Sequence, residues 1–363
     1  MSRRLPLIAG VAFLLVVPYF FDVFWLSTGL LCMATAIGAI GLTLLTGTTG
    51  QLSLGHAFFI AIGAYGYCFF AGEDGLPGLA VQTSGLGLPT VVAAILAVLL
   101  AGLAGAVFSP VAGRVRGIYL GLASVGLVFI GLRIMNDARS ITGGFTGRSA
   151  PEFNLFGFTF ADDSPGVSIG GVAFEQFEKL WYLGLLLVLL AWWFARNLVR
   201  SRPGRALQQV RDSEVAAAVM GVNVPLYRAG AFTVSSMYAG LAGVLYALVN
   251  DTIVPGSFNF LFSIDFLVMI VIGGLGSIGG AIAGAVFVSA LPLILDKYAA
   301  SLPLVVAPGA EGLQSAEAAR FLYGAAVVVI LIFAPRGLAG IAARFSSRRA
   351  AVPTAAQPKE STA

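Results

Sequence analysis

Charged residues are scarce in this chain of 363 residues, because Asp, Glu, Lys and Arg together make up only 10% of it. An ordinary soluble domain carries about 25%, and a chain so poor in charge could not cover a surface exposed to water. A bilayer removes that need, since lipid is then the solvent. The low charge therefore excludes an ordinary soluble protein and predicts an integral membrane protein.

Cysteine and histidine are almost as scarce. The chain has two cysteines, Cys32 and Cys68, in separate apolar runs, and His56 is its only histidine. This composition excludes a disulfide scaffold and a zinc cluster and leaves little room for acid–base relays. We therefore expect no catalytic residues, no metal site and no enzymatic activity. The net charge of +4, with no basic stripe, also argues against nucleic-acid binding.

Long apolar runs dominate what is present, since 58% of the residues are hydrophobic. A helix needs about 20 mainly apolar residues to cross a bilayer, and ten segments reach or approach that length. They predict an all-α, polytopic membrane bundle of about ten transmembrane helices. The segments are 5–21, 27–46, 52–71, 89–112, 118–135, 179–197, 229–249, 260–273, 278–295 and 319–335. The third and the eighth adjoin Gly-rich stretches and are candidates for broken or re-entrant elements.

The basic residues predict the orientation. With the N-terminus in the cytoplasm, 15 of the 21 Lys and Arg residues fall on the inside, as the positive-inside rule requires. Both termini are therefore expected in the cytoplasm. We expect a transmembrane permease domain over 1–340, with an external loop at 136–178 and a cytoplasmic loop at 198–228. Residues 341–363, rich in Ala, Ser, Pro and Arg, are expected to form a disordered cytoplasmic tail.

The cytoplasmic loop contains a helical pattern. Asp212 or Ser213 can cap a short helix that begins near Glu214, and Gly221 suits a left-handed C-terminal cap. The residues between them, 215–220, form a small apolar surface on a helix too short to span a membrane. Such a helix could lie on the membrane or fit a groove in another protein. The groove is favoured, because Ala-rich faces anchor weakly to lipid.

This loop resembles the EAA-type coupling loop in the permeases of ATP-binding-cassette (ABC) importers. The longer run 204–223 is similar to LivM-type permeases of branched-chain amino-acid importers, and so are the stretches 46–59 and 263–280. The resemblance extends from about residue 25 to residue 340 and implies the ABC importer permease fold. It also implies that the loop couples to an ATPase subunit through Arg211, Asp212, Glu214, Ala217 and Gly221.

The chain lacks a motif for binding ATP, and the resemblance implies partner subunits. The chain has no G-x-x-x-x-G-K-[ST] phosphate loop, so ATP is expected to be bound by partner subunits, with no cofactor on this chain. The resemblance implies two ATP-binding subunits, a second homologous permease subunit and an external solute-binding protein. It also implies a multi-pass protein of the bacterial cytoplasmic membrane.

Candidates for the translocation path are polar or glycine residues near the two weak spans: Gln51, Ser53, His56, Asp265, Gly274 and Gly276. Unpaired polar groups cost a few kcal/mol each in lipid, so these side chains must face protein or water. Alternatives stay open. His56 could be a satisfied buried histidine, and Asp265 an interfacial acid that reaches water. The glycines 276, 280 and 284 could serve helix packing.

The predicted function is that of a transmembrane permease subunit of an ABC importer for branched-chain or related small amino acids. One alternative is an ABC permease for urea or short amides. Another is a stand-alone secondary transporter or channel for a small solute, which would need intramembrane charges for ion coupling. Asp265 is the one candidate for such a charge.

Overall fold

The computed structural model describes residues 5–74, 83–115, 117–155, 157–160, 168–169, 172–173, 175–299, 315–334 and 337–340. The predicted all-α class is confirmed. The helices are α1 Leu5–Val16, α2 Val23–Thr49, α3 His56–Ala71, α4 Thr90–Arg114, α5 Ile118–Asp137, α6 Arg139–Thr142, α7 Gln176–Arg200, α8 Arg202–Asp212, α9 Glu214–Val219, α10 Val224–Val249, α11 Phe260–Gly273, α12 Ile278–Ala299 and α13 Ser315–Phe333. The predicted disordered tail, 341–363, lies outside the described residues.

Short strands occur only in the loops of the part described. They are β1 Arg148–Ser149, β2 Asn154–Leu155, β3 Phe158–Thr159, β4 Ser168–Ile169, β5 Val172–Ala173 and β6 Thr252–Ile253. Strand β1 pairs antiparallel with β6, β2 with β3, and β4 with β5. The β1–β6 pair joins the predicted external loop to the segment after α10.

Each of the ten predicted spans contains a helix, but the helices differ in length. Among the described residues, six helices are long and apolar enough to cross a membrane: α2, α4, α5, α7, α10 and α12. The other apolar helices are shorter, with α3 at 16 residues and α11 at 14. The structure is therefore that of a multi-pass membrane protein, while a count of ten full spans is not confirmed. The two spans that adjoin Gly-rich stretches are among the short ones.

Helix α2 lies at the centre of the bundle. In the most apolar 18-residue stretch of α2, 89% of the residues are buried, whereas 22% are buried in the corresponding stretch of α7. Glycines make this burial possible, because small residues let helices approach closely. Gly29 of α2 lies against the Trp181 ring of α7, and Gly38 lies against Phe266 of α11 and Ala242 of α10.

Helices α3 and α10 touch through their backbones. A Cβ atom placed on Gly63 would lie 2.1 Å from the carbonyl oxygen of Gly240. One placed on Gly243 would lie 2.0 Å from the carbonyl oxygen of Ile60. No larger side chain fits at either position unless the helices separate.

Several loops meet at the end of the bundle that carries β1 and β6, and we refer to it as the β1 end. The guanidinium of Arg148 is buried there and donates hydrogen bonds to Ser84 O at 2.8 Å and Ile141 O at 2.7 Å. Burial lowers the pKa of Arg148, because desolvation disfavours the charged form. Arg148 thereby joins the loop at Ser84 and the short helix α6, which contains Ile141, to strand β1.

Candidate functional site

The predicted coupling loop forms two helices, α8 and α9, that meet at Ser213. Ser213 has an extended backbone, and its hydroxyl accepts a hydrogen bond from the backbone N–H of Ala216 at 3.3 Å. Of the two predicted capping residues, Ser213 is therefore the one that caps α9. Gly221 has a φ of +83°, which confirms the predicted left-handed conformation after the helix.

Helix α9 turns an apolar face outward. The side chains of Val215, Val219 and Met220 are 77%, 82% and 75% exposed, while Ala217 is buried at 1%. These three apolar side chains form an exposed cluster on the side of α9 away from Ala217. The local sequence explains this orientation, since residues 215 and 219 are one helical turn apart and Ala217 lies on the opposite side.

Glu214, predicted to act in coupling, forms a salt bridge with Arg228 in the first turn of α10. The Arg228 side chain is 8% exposed and that of Glu214 is 28% exposed. The pair therefore holds the start of α9 against α10. Asp212 is more exposed and lies 3.2 Å from the Arg211 guanidinium.

The side chain of Arg211 is partly exposed, but its guanidinium group reaches inward to helix α2. Its Nη1 donates a hydrogen bond to the carbonyl oxygen of Gly47 at 2.7 Å. Gly47 lies in the last turn of α2, where carbonyl groups lack partners within the helix. A Cβ on Gly47 would lie 2.6 Å from the Cα of Gly276, in the turn between α11 and α12. Arg211 therefore contacts α2 where α2 meets that turn.

Several segments predicted to lie on the inner side of the membrane gather at this end of the bundle, which we call the α8 end. Gln51, just after α2, is buried, and its Nε2 donates a hydrogen bond to Ala112 O of α4 at 2.9 Å. Gly337 lies against Gly274. Gln51, Gly274 and Gly276 are thus brought to one end, beside Arg211.

Residues 50–55 form a non-helical break that re-enters the bundle. The ring of His56, at the start of α3, lies beside Gly38 of α2, with Nε2 donating to Gly38 O at 2.9 Å. From Gly38 to Thr49, α2 runs about 16 Å toward the α8 end. The six residues of the break can span up to about 20 Å when extended. Helix α3 therefore begins deep in the bundle, after a non-helical segment at the third predicted span.

Hydroxyl groups from distant helices hold this break in place. Ser124 Oγ of α5 accepts a hydrogen bond from Leu54 N at 2.8 Å, and Ser263 Oγ of α11 accepts one from Ala57 N at 3.1 Å. Both serines are completely buried. They satisfy backbone N–H groups that a helix start leaves without partners. Ser53 is also buried, and its Oγ accepts from Gly55 N at 3.4 Å.

The remaining candidates for the translocation path differ in their exposure and packing. Asp265 is half-buried on α11. Gly276 is exposed, with a φ of +80°, so it forms the turn between α11 and α12, which lies against Gly47 of α2. Gly280 and Gly284 do serve packing, because their Cα atoms lie against the carbonyl groups of Gly273 and Met269. The structure thus places Gln51 and the glycine turn at the α8 end, and His56 deep in the bundle. No cluster of His, Cys, Asp or Glu among the described residues could hold a metal ion.

The comparison with known families agrees with this architecture. Residues 25–331 match the model of the family described as "Branched-chain amino acid transport system / permease component". The chain belongs to this family. Its members are permease components of a transport system, which implies further components.

Individual relatives carry related names. The chain is 28% identical to the high-affinity branched-chain amino acid transport system permease protein LivM of Escherichia coli K12, over 93% of this chain and 75% of the relative. It is 29% identical to LivM of Salmonella typhimurium, over 87% and 71%. It is 24% identical to a probable branched-chain amino acid transport permease protein LivM of Methanocaldococcus jannaschii, over 83% and 89%. No solved structure matches the chain.

Two functional contacts were not predicted from the sequence. The pairing of Arg228 with Glu214 was not predicted, although the two residues are only 14 positions apart. Ser263 begins the stretch 263–280 that carries the family resemblance. Its hydrogen bond to Ala57 joins residues that are 206 positions apart. Spacing in the sequence gives no signal for the second contact.

Proposed function

We propose that this chain is the membrane-spanning permease subunit of an ABC importer for branched-chain or related small amino acids. The observation that carries the proposal is helix α9. It is capped at both ends, tied to α10 by Glu214 and Arg228, and presents Val215, Val219 and Met220 to the outside. A rigid, short apolar helix outside the spanning segments fits a groove in a partner protein.

The partner for this helix is an ATP-binding subunit in the cytoplasm. The α8 end then faces the cytoplasm of a bacterial cell, in agreement with the excess of basic residues predicted there. We propose the complete importer to contain two ATP-binding subunits, a second homologous permease and an external solute-binding protein. ATP is bound by the partners and not by this chain.

Transport would proceed by alternating access as the ATP-binding subunits close and part. Helix α3 begins deep in the bundle and α11 ends at a glycine turn, as in transporters whose broken helices surround the substrate path. We propose that Gln51, Ser53, His56, Asp265, Gly274 and Gly276 lie on or near this path. In the conformation described, Gln51 and His56 are buried and hydrogen-bonded, so this conformation is closed around them.

The proposal is tested by reconstitution. The chain is co-expressed with ATP-binding, permease and solute-binding subunits encoded in the same genome, and the complex is placed in liposomes. Uptake of radiolabelled leucine, isoleucine and valine is measured with and without ATP, beside urea and acetamide. We expect uptake of the branched-chain amino acids that requires both ATP and the solute-binding protein.

Other outcomes decide between the alternatives. Uptake by the chain alone, driven by an ion gradient and unaffected by ATP, would contradict the proposal and indicate a secondary transporter. ATP-dependent uptake of urea or acetamide in place of amino acids would keep the ABC importer and replace the substrate. A variant with Asp265→Asn separates these cases further, because only ion coupling requires a charge at that position.

A further inference from the structure

Three segments of the permease meet at Arg211. Its Nη1 donates to Gly47 O in the last turn of α2, at 2.7 Å. Its Cγ would lie 3.3 Å from a Cβ on Gly50, in the break between α2 and α3. Its Nη1 would lie 4.0 Å from a Cβ on Gly276, in the turn between α11 and α12. A single side chain of α8 therefore touches or approaches both interruptions in the spanning helices.

The backbones of Gly47 and Gly276 are in close contact at this junction. Gly47 and Gly276 are so close that a Cβ on Gly47 would lie 2.6 Å from the Cα of Gly276. Any displacement of α2 at this point must therefore move the α11–α12 turn as well. Because packed contacts of this kind switch between discrete arrangements, small shifts are passed on and not absorbed.

Arg211 is also coupled to α9. It is followed by Asp212, whose carboxylate lies 3.2 Å from its Nε, and then by Ser213, the capping residue of α9. Only Ser213 separates α8 from α9. A force that displaces α9 therefore acts on Arg211 through two residues of backbone and one ion pair.

The electrostatics favour the same arrangement. The C-terminal end of a helix carries a partial negative charge, which attracts a guanidinium group. The carbonyl of Gly47 is one of the groups that the end of α2 leaves without a partner in the helix. Arg211 supplies that partner, so the contact breaks if α8 moves away from α2.

We propose that Arg211 is a positioning residue that transmits the movement of α9 to the α2–α3 break and the α11–α12 turn. This inference rests on the proposed function, because it assumes that an ATP-binding subunit moves α9. It assigns to Arg211 an inward contact with the permease in place of the predicted contact with the ATPase.

The test uses the complete importer with Arg211→Met, which keeps an unbranched apolar stem and removes the guanidinium donors. The matched control is Arg205→Met on the same helix, since Arg205 is exposed and donates to Arg200 O at the end of α7. Basal ATP hydrolysis, its stimulation by the loaded solute-binding protein, and uptake are measured together. For Arg211→Met we expect stimulation and uptake to fall about tenfold or more, as for other linked sites. Basal hydrolysis and recovery of the ATP-binding subunits should match those of the control.

A second readout follows the movement itself. Leu275, exposed beside Gly276, is replaced by cysteine in a background with Cys32→Ala and Cys68→Ala. The rate of thiol labelling is compared with and without ATP and vanadate. In the complex with the natural Arg211 the rate should change with nucleotide, and with Arg211→Met this change should disappear. A residue that only stabilised the fold would not abolish it selectively.

Two further variants keep the test decisive if the Arg211→Met chain does not fold in the membrane. Arg211→Lys retains one donor and should retain part of the stimulation. Gly47→Ala forces α2 away from Gly276 and should uncouple transport with Arg211 intact. Uptake by Arg211→Met equal to that of Arg205→Met would overturn the inference, and so would loss of the ATP-binding subunits from the complex. Absence of ATP-dependent uptake in the unmodified complex would instead overturn the proposed function.

Discussion

The two ends of the bundle differ in how their side chains are used. At the β1 end the loops hold one another, and the buried guanidinium of Arg148 donates to two carbonyl groups of neighbouring loops. At the α8 end, α9 leaves Val215, Val219 and Met220 exposed. One end uses a buried side chain to join its own segments, while the other presents the apolar side chains of a short helix to the outside.

This difference separates two roles for surface residues. Substitutions at the β1 end should change the stability of the chain by itself. Substitutions on the exposed face of α9 should leave stability unchanged and affect only the association with a partner. The four predictions that follow test this division, beginning with the largest expected effect.

The largest effect is expected from Val219→Asp combined with Met220→Asp. Both side chains are largely exposed, so the fold should persist, but two charges would enter the groove of the ATP-binding subunit. Apolar anchor residues in interfaces contribute about 2 kcal/mol or more each. Co-purification of the ATP-binding subunits should therefore be lost, while Val219→Ile with Met220→Leu should retain it. Unchanged co-purification of the aspartate variant would place the partner elsewhere.

Arg148→Met should mainly lower stability. It removes two hydrogen bonds from a charged donor, each of which contributes about 1.5–3 kcal/mol, and leaves Ser84 O and Ile141 O without that partner. We expect a lower midpoint of thermal unfolding in detergent, with normal binding of the ATP-binding subunits. Arg139→Met, at an exposed position of the same end, is the matched control. Equal midpoints for the two variants would show that the loops do not depend on Arg148.

Glu214→Gln tests whether this residue stabilises the chain itself or binds the partner. Loss of the carboxylate leaves the buried Arg228 without its salt bridge, and about 1–2 kcal/mol of stability should be lost, since Glu214 is partly exposed to solvent. A double-mutant cycle with Arg228→Met measures the interaction directly. Weaker binding of the ATP-binding subunits with unchanged stability would instead assign Glu214 to the interface.

The smallest effect is expected from Gly221→Ala. There is open space around the position, so the cost comes only from a left-handed backbone with φ of +83° and should be about 1 kcal/mol. Gly221→Asn should cost less, because Asn tolerates this conformation better. Hydrogen exchange of the α9 amides would report the difference. Equal exchange in both variants would mean that α9 does not depend on its C-terminal cap.

Local features of the fold were predictable from the sequence, because their causes are local. The capping hydroxyl of Ser213 and the left-handed Gly221 follow from residues within one or two turns of the helix. The interruption before α3 was indicated by the Gly-rich stretch that precedes it. The long helices α2 and α10 follow from continuous apolar runs.

Contacts between distant segments could not be predicted in the same way. The depth at which α3 begins depends on His56 reaching Gly38 and on Ser263 reaching Ala57. The inward contact of Arg211 depends on how the end of α2 packs against the α11–α12 turn. Composition and spacing indicated that these residues matter, but only their packing shows which group each one contacts.

The central position of α2 has a consequence for how the protein is made. Helix α2 packs against α7, α10 and α12, and Thr35 of α2 bonds to Ser289 of α12 at 2.8 Å. It is synthesised before α12, which provides part of its surroundings. During translation α2 must therefore remain in the bilayer facing lipid, where its long apolar sequence keeps it stable until α12 arrives. Chains that stop before α12 should leave α2 partly uncovered and become targets for membrane proteases.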